Sequence, residues 1–515
     1  MSVNKPVINA SGFFLKIWFE KIAFFNSPLV RALLLACLLT GCEGDVSGGE
    51  QTVVSSGGPA SGARLFVNNV DGNDNNDGIS LPFKSLQYAL DQLRPGDVLV
   101  IQSTEQDYQT DQEISDPNID GNILRGFRLS TSGTKSAPIV IEGDITSPPT
   151  IHQGQSDFAN DGSARIGLLL DCVSHVVVRN LIIRGVNEAG ISSSMVGACE
   201  TSNVTLDGNT IYDVYGEKYV GGIRLMGVNE VIIQNNKIRD VYTRQANEER
   251  GLIKAGSSLS NIFIGDNTFN NLDAGVVLNA QGFGSTDFYP EEAIVNIQIH
   301  NNTFKQVVRP VNFYNQINDS SGIYEIKTGL FKSVDVSGNL FLTVEESAIL
   351  VELGDSEYQS ESFCLFNNNF IDTDLSAIDI TGVQYAEIFN NIFVRPESNI
   401  LVTRSPQSSI VNSIAYSNFN LFLDVKYLTW QLDVGGMAEE DFSDLSNWQY
   451  AQSHPELSVG PDLDSSNNDP LFIDPLDDFR LSDASPALLA GRYGASIGYD
   501  YTLPLDFKSN CRMLF

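Results

Sequence analysis

The sequence predicts an all-β solenoid, a chain wound into short coils that stack on one another. Gly accounts for 43 of 515 residues and Asn is abundant, whereas charged residues make up only 18%, so turn-forming and ladder-forming residues have displaced the Lys, Glu and Ala of helical proteins. A nine-residue segment, Asn203-Val204-Thr205-Leu206-Asp207-Gly208-Asn209-Thr210-Ile211, returns as Glu230–Ile238, Asn261–Phe269 and Asn296–Phe304, with further copies centred on Asn339, Asn368 and Asn391. Each copy alternates apolar and polar residues before reaching its Asn, and a second short apolar strand follows. That is the pattern of a coil whose strands bury one face.

The chain begins with a targeting segment. Leu33-Leu34-Leu35-Ala36-Cys37-Leu38-Leu39-Thr40 follows Arg31 and leads into Gly41-Cys42. This apolar stretch is too short to cross a bilayer as a helix, which takes roughly 20 residues, and it has the layout of a secretory signal. Leu39-Thr40-Gly41-Cys42 resembles the lipobox of bacterial lipoproteins, which implies cleavage before Cys42 and lipidation of that cysteine. Glu43 is not the aspartate that resembles an inner-membrane retention signal, so the expected location is the bacterial outer membrane, facing the cell surface or the periplasm. The expected layout is a signal peptide over 1–41, a flexible Gly/Ser-rich tether over 42–63, the solenoid over 64–426, and its C-terminal coils and cap over 427–515.

The formal charge is −33 and the pI about 4.3. Loss of residues 1–41 removes Lys5, Lys16, Lys21, Arg31 and Glu20, which leaves 27 bases against 63 acids and a charge of −36. Nucleic acid is excluded as a partner, because it is bound by a basic footprint that releases counterions from phosphates. A monomer is expected.

Within the solenoid, the repeat positions run from a degenerate first copy, with Leu181 in place of Asn, at spacings of 28, 27, 31, 35, 37, 29 and 23 residues. A last copy is expected around Asn412 and Ser413. The second strand of each coil opens on a small residue: Ala189-Gly190-Ile191, Gly221–Leu225, Arg250–Lys254, Ala274–Leu278, Ser347–Val351 and Ser376–Ile380. Stacking coils at the strand spacing of about 4.8 Å sets like over like, so the recurring Asn residues are expected to form a ladder of side-chain amides.

The opening of this region runs Leu65-Phe66-Val67, an acidic loop from Gly72 to Gly78, Pro82-Phe83-Lys84-Ser85-Leu86-Gln87-Tyr88-Ala89 and Pro95–Ile101. Its close is Asp469-Pro470-Leu471-Phe472-Ile473-Asp474-Pro475, Phe479-Arg480-Leu481 and Ser485-Pro486-Ala487. With the repeats between them, these segments resemble the right-handed parallel β-helix proteins of the pectate lyase-like superfamily. The resemblance implies a single-stranded right-handed parallel β-helix with an N-terminal capping helix. It leaves function open, because this architecture hosts lyases, hydrolases, epimerases, adhesins and inert scaffolds.

Cys172 and Cys199 fall at matching points of successive coils, where stacked Cα atoms lie within the range of roughly 4.4 to 6.8 Å that a disulfide permits, so a bond between them is expected. Cys364 is expected to be packed without a bond. Asp71, Asp74 and Asp77, and Asp462, Asp464 and Asp469, have the density of a calcium loop without the EF-hand pattern.

Bases are concentrated in one stretch: Lys218, Arg224, Lys237, Arg239, Arg244, Arg250 and Lys254 all occur within 37 residues. Gathering them in an acidic chain suits an acidic polysaccharide, whose carboxylates need Arg or Lys partners while Tyr faces lie on sugar rings. Lys218, Tyr219, Tyr242 and Arg244 are the expected substrate contacts. The order Glu248, Glu249, Lys254, Asn261 and Asn267-Thr268-Phe269 resembles the chondroitinase B and alginate lyase group. That resemblance implies β-elimination with Lys254 as base, Arg224 and Arg250 engaging carboxylates, and Glu248 and Glu249 holding Ca²⁺.

The chain departs from the group's pattern. Leu278-Asn279-Ala280-Gln281-Gly282 stands where the group has Arg-His-Gly, and strict alternation from Leu252 turns Lys254 inward. Two other readings stay open. The bases are solvated loop residues paired with Glu217, Asp240, Glu248 and Glu249, or the protein is a non-catalytic, adhesin-like glycan binder. A hydrolase using paired carboxylates is also open.

Overall fold

The computed structural model describes residues 62–114, 123–154, 163–193, 201–216, 220–225, 228–243, 260–279, 294–314, 331–353, 361–381, 383, 386–396, 401–404, 414–425, 428–432, 438–442, 444–449 and 462–499. They belong to one compact unit, Pro59–Phe515; a second unit, Met1–Gly58, lies outside them, as does Cys42.

The chain winds through three faces in turn. The first is a twelve-stranded sheet running from Arg64–Val67 to Ile414–Asn418, every strand parallel to its neighbours. The second starts at Thr150–His152 and ends at Leu421–Leu423, also parallel along its length. The third comprises Glu113–Ile114, Ile123–Leu129, Ser163–Leu170, Ala189–Ser193 and Gly221–Arg224. Further along, the corresponding part of each coil is the second half of Thr268–Asn279 and of Thr303–Tyr314, then Ile349–Glu352, Ile378–Thr381 and Leu401–Arg404. The second strands expected from sequence thus form at Ala189, Gly221, Ala274, Ser347 and Ser376, and the one at Arg250 lies outside the described residues.

The corners between faces are made by single residues in the left-handed region. Around each ladder Asn they stand six before, one before and four after: Asn203, Gly208 and Asp213 in one coil, then Glu230, Asn235 and Asp240, then Asn261, Asp266 and Asn271, with φ between 52° and 67°. Asn, Asp and Gly tolerate this conformation best, which explains their abundance. Small residues opening the second strands have a different cause. A Cβ on Gly190 would lie 2.6 Å from Ile211 Cγ2, and one on Gly222 would lie 2.7 Å from Ile238 Cγ2, so the large inner residues of the second sheet occupy that space.

The amide ladder is continuous. Asn209, Asn236, Asn267, Asn302, Asn339, Asn368 and Asn391 are fully or almost fully buried. In each rung the backbone N–H donates to the side-chain oxygen of the next Asn at 2.9–3.0 Å. The side-chain amide donates to that same oxygen at 3.0–3.2 Å. It also donates to a carbonyl of the preceding coil, as Asn302 does to Ile264 at 2.9 Å. Leu181 occupies the first position and gives its N–H to Asn209 Oδ1 at 3.1 Å.

The last rung is Asn420, not the expected Asn412 and Ser413, which lie outside the described residues. A register shift between Ala386 and Glu387 and a left-handed Phe419 hide this copy from a sequence search. Asn420 ends the ladder on Asp462, whose carboxylate accepts from Asn420 Nδ2 (2.7 Å), Ser417 Oγ (2.7 Å), Ser465 Oγ (2.7 Å) and Trp448 Nε1 (2.8 Å). Asp462 and Trp448 are both fully buried, and Trp448 sits on a five-residue helix, Leu445–Gln449.

Beside the ladder the core is a column. Phe269, Phe304, Phe341, Phe370, Phe393 and Phe422 stack with ring centroids 4.7–5.1 Å apart and planes within 8° of parallel. Near the N-terminus, the helix Leu86–Asp91 buries Leu86, Ala89 and Leu90 against the first coils. The acidic loop before it has structural work: Asp74 accepts the N–H groups of Lys84 and Ser85, and Asp77 those of Ile79, Ser80 and Leu81. The three N–H bonds hold the exposed Asp77 carboxyl below its ordinary value.

Cys172 is disulfide-bonded, and its expected partner Cys199 lies outside the described residues. Cys364 is also disulfide-bonded, contrary to expectation, although it is buried among Phe366 and Phe389. The two are not bonded to each other: Cys172 precedes the strand Ser174–Arg179 and Cys364 is on Glu361–Phe366, and five strands of the first sheet lie between those two, about 29 Å at the strand spacing.

Replacing Asn302 by Ala removes an acceptor shared by two buried donors of Asn267 and a donor to Ile264 and Asn339. Urea denaturation is expected to show a loss of about 3 kcal/mol, while an exposed Asn such as Asn75 gives less than about 0.5 kcal/mol.

Candidate functional site

The outer faces of the solenoid differ in what they leave open. On the second sheet, each ladder Asn is followed by an outward residue, an inward core residue and another outward residue. In register, the outward rows read Thr150, Ile182, Thr210, Lys237, Thr268, Thr303, Leu340 and His152, Arg184, Tyr212, Arg239, Asn270, Lys305, Leu342. Both rows change character at Leu340 and Leu342 and remain mostly apolar to Leu421 and Leu423.

The C-terminal segment covers the apolar half. Leu340, Ile371, Ile392, Val394 and Leu421 form one buried cluster with Phe479, Ala487, Ile497 and Tyr499. Tyr499 N–H donates to Asn369 Oδ1 (2.9 Å) and Arg492 N–H to Asn390 Oδ1 (2.7 Å). The Arg492 guanidinium lies over Phe389 and binds Glu387 at 2.9 Å. Among the described residues, the polar half is open from Lys237 to Lys305, where Lys237, Arg239, Thr268 and Lys305 are exposed, whereas His152 and Arg184 are half-buried against Asp107.

This half carries bases and aromatic rings at one coil per step. Arg184 binds Asp107 at 2.7 Å, with His152 Nδ1 3.4 Å from the same carboxylate. Burial, then the Arg184 charge, lowers the His152 pKa from its ordinary 6.5, while Asp107 and Asp213 oppose this. The Arg239 guanidinium sits 4.1 Å from the Tyr212 ring centroid, a cation–π contact, and also meets Asp240. Lys237 and Lys305 are exposed and have no ion pair among the described residues.

The residues expected from sequence fall as follows. Tyr242 is on the second sheet, stacked on Tyr215 of the coil before with centroids 5.5 Å apart. Burial, then Asp240, raises its phenol pKa. Arg224 is on the third sheet between the core residues Ile223 and Leu225, so it faces outward, yet it is only 2% exposed and its Nη1 binds Glu188. An incoming carboxylate would have to displace Glu188. Lys218, Tyr219, Arg244, Glu248, Glu249, Arg250 and Lys254 lie outside the described residues, so Tyr242 and Arg224 are not brought together with them here. Among the described residues, no group of three or more His, Cys, Asp or Glu is placed to hold a metal ion. Arg184, Tyr212 and Lys305 lie outside the stretch of highest base density or carry no base, and all three occupy the third position after a ladder residue.

Residues 108–361 match the family described as right handed beta helix region. The solenoid is a right-handed β-helix. Solved structures with a similar path include a pectate lyase, Pel9A (13% identity, 86% of this chain and 97% of that one, TM-score 0.41). A GH136 lacto-N-biosidase from Eubacterium ramulus is 16% identical over 70% of this chain and 67% of that one, with a TM-score of 0.39. A PL6 family polysaccharide lyase from Pseudopedobacter saltans is 10% identical over 86% and 100%, with a TM-score of 0.35. At these values the likenesses assign no chemistry to this β-helix. No curated protein matches the chain.

On the first sheet, His300 lies between Gly265 and Ser337, with Nδ1 2.9 Å from Ser337 Oγ. Burial lowers its pKa from 6.5, against the opposing effects of Asp266 and Ser337. The unfolded chain therefore binds a proton near pH 6.5 that the folded β-helix takes up only at lower pH. The His300 contribution is intact above pH 6.5 and is lost as the pH falls from there through the folded value. Denaturation midpoints between pH 7.5 and 5 are expected to decline on acidification, and less steeply in His300→Gln; equal slopes would reject the assignment.

Proposed function

We propose that this β-helix binds an acidic polysaccharide along the open half of its second sheet, as a monomeric lipoprotein anchored through Cys42 in the bacterial outer membrane. The observation that carries the reading is the pair of exposed lysines, Lys237 in the row of Thr268 and Lys305 in the row of Asn270 and Arg239, on a face that also offers Tyr212. In a chain of net charge −33, these two bases have no ion pair among the described residues. Coils repeat at about 4.8 Å, close to the length of one pyranose unit, so a glycan lying along the stack meets one coil per sugar. Lys237 and Lys305 are two coils apart, about 10 Å along the stack, and so meet carboxylates on alternate sugars. Tyr212, beneath the Arg239 guanidinium, adds an aromatic ring to this face.

The catalytic extension is β-elimination. Lys254 takes the C5 proton of a uronate, the C4–O bond breaks, and the leaving oxygen receives a proton, giving an unsaturated uronate. Arg250 and Arg224 would engage the carboxylate, and Glu248 and Glu249 would hold Ca²⁺ if it takes part. Arg224 is the weak member, since Glu188 already occupies it.

Alginate, pectate and chondroitin sulfate are expected to bind with an affinity that falls as salt rises, because exposed ion pairs are screened. Changing Lys237 and Lys305 together to Ala should weaken binding by roughly three- to tenfold. Unchanged affinity in that double variant rejects the binding face. Unsaturated-uronate absorbance with and without calcium tests cleavage separately, and no product from any of the three polymers leaves a non-catalytic binder.

A further inference from the structure

The strand Thr303–Tyr314 turns the corner from the second face to the third. Lys305 stands on the open face, Gln306 makes the left-handed corner at φ 53°, and Arg309, Asn312 and Tyr314 follow on the next face. Asn312 lies between Val311 and Phe313, both fully buried in the core, so its side chain is on the outer side of the strand. It is nevertheless only 1% exposed.

Its surroundings do not satisfy it. Val277 and Leu350 flank it in register, one on each neighbouring coil. Among the described residues its Nδ2 reaches only the Arg309 carbonyl, at 3.4 Å, and its Oδ1 is buried with no hydrogen-bond partner. An apolar residue the size of Val would suit this column better, since a buried amide oxygen without a donor costs more than the group it replaces. A buried amide oxygen without a protein partner is a place where a hydroxyl from outside the chain can bond. Beside it, Arg309 is bonded to the Tyr314 phenol and to Glu346 of the next coil. The Arg309 and Glu346 side chains are 44% and 35% exposed, so this pair is the part of the surroundings that yields at little cost.

We propose that Arg309, Asn312 and Tyr314 form a sugar-binding subsite on the third face. Asn312 Oδ1 accepts a hydroxyl O–H of the sugar, and the Arg309 N–H groups not held by Glu346 donate to a neighbouring hydroxyl or carboxylate oxygen. The Tyr314 phenol orients Arg309. This deepens the glycan reading: a chain lying across Lys305 reaches the subsite around a single corner.

The test uses the full chain with alginate, pectate and chondroitin sulfate as probes, following affinity and thermal midpoint together. Asn312→Val is expected to raise the midpoint by about 2 °C or more and to weaken binding about tenfold. Arg309→Gln, a change at an exposed position, is expected to weaken binding without moving the midpoint by more than about 1 °C. A more stable Asn312→Val with wild-type affinity makes the amide an unsatisfied packing residue and overturns the proposal. A less stable or unfolded Asn312→Val, or an unaltered affinity in Arg309→Gln, overturns it as well. Loss of binding in the Asn312 and Arg309 variants but not in the Lys237 and Lys305 variant upholds this subsite and rejects the second-sheet face. The reverse pattern rejects the subsite alone, and a wild type that binds none of the polymers rejects both.

Discussion

A buried amide that must bond on both sides constrains everything else in this chain. Each ladder Asn is sealed from water, and the cost of leaving its oxygen or its N–H groups unpaired is comparable to losing the bonds outright. Partners exist only if the next coil places another Asn directly above. One residue type at one position therefore sets coil-to-coil register from Asn209 to Asn420. Inserted residues between coils are tolerated, as spacings from 23 to 37 residues show, because they leave the rung untouched. The parallel phenylalanine column and the rows of outward residues inherit this register.

Most of that architecture was legible in the sequence because it is periodic. The seven ladder positions, the degenerate Leu181 and the small residues before the second strands all follow from aligning copies. The last rung at Asn420 was not legible, since the corner residue before it is Phe419, which no turn rule favours in the left-handed region. Thr343 and Arg395 hide other corners in the same way. The bond at Cys364 was missed because nothing local distinguishes a bonded cysteine from a packed one on a strand.

The candidate site was legible only in part, for a different reason. Base density pointed to the coils from Lys218 to Lys254, but density does not say which face a side chain takes or what meets it. Arg224 is consumed by Glu188, a residue 36 positions away that becomes a neighbour only through the stack. Conversely, the open face is defined by a subtraction. The C-terminal segment buries the outward residues from Leu340 onward, and among the described residues the stretch before them from Lys237 to Lys305 stays exposed. Both halves of that contrast are in the sequence, at the first and third residues after each ladder position, once the register is known.

The amide ladder also has a direction. Along the row of side chains every rung donates to the next Asn toward the C-terminal end and accepts from the one before, while its second amide N–H turns back to a carbonyl of the preceding coil. At that end sits a buried carboxyl group, that of Asp462. A stack of identical rungs has no intrinsic length, and each finished coil is a template for another, whether from the same chain or from a second molecule. A carboxyl group roofed by Trp448 is a terminator: Asp462 takes the last side-chain amide and Ser465 Oγ the last backbone N–H, where another Asn would otherwise stand.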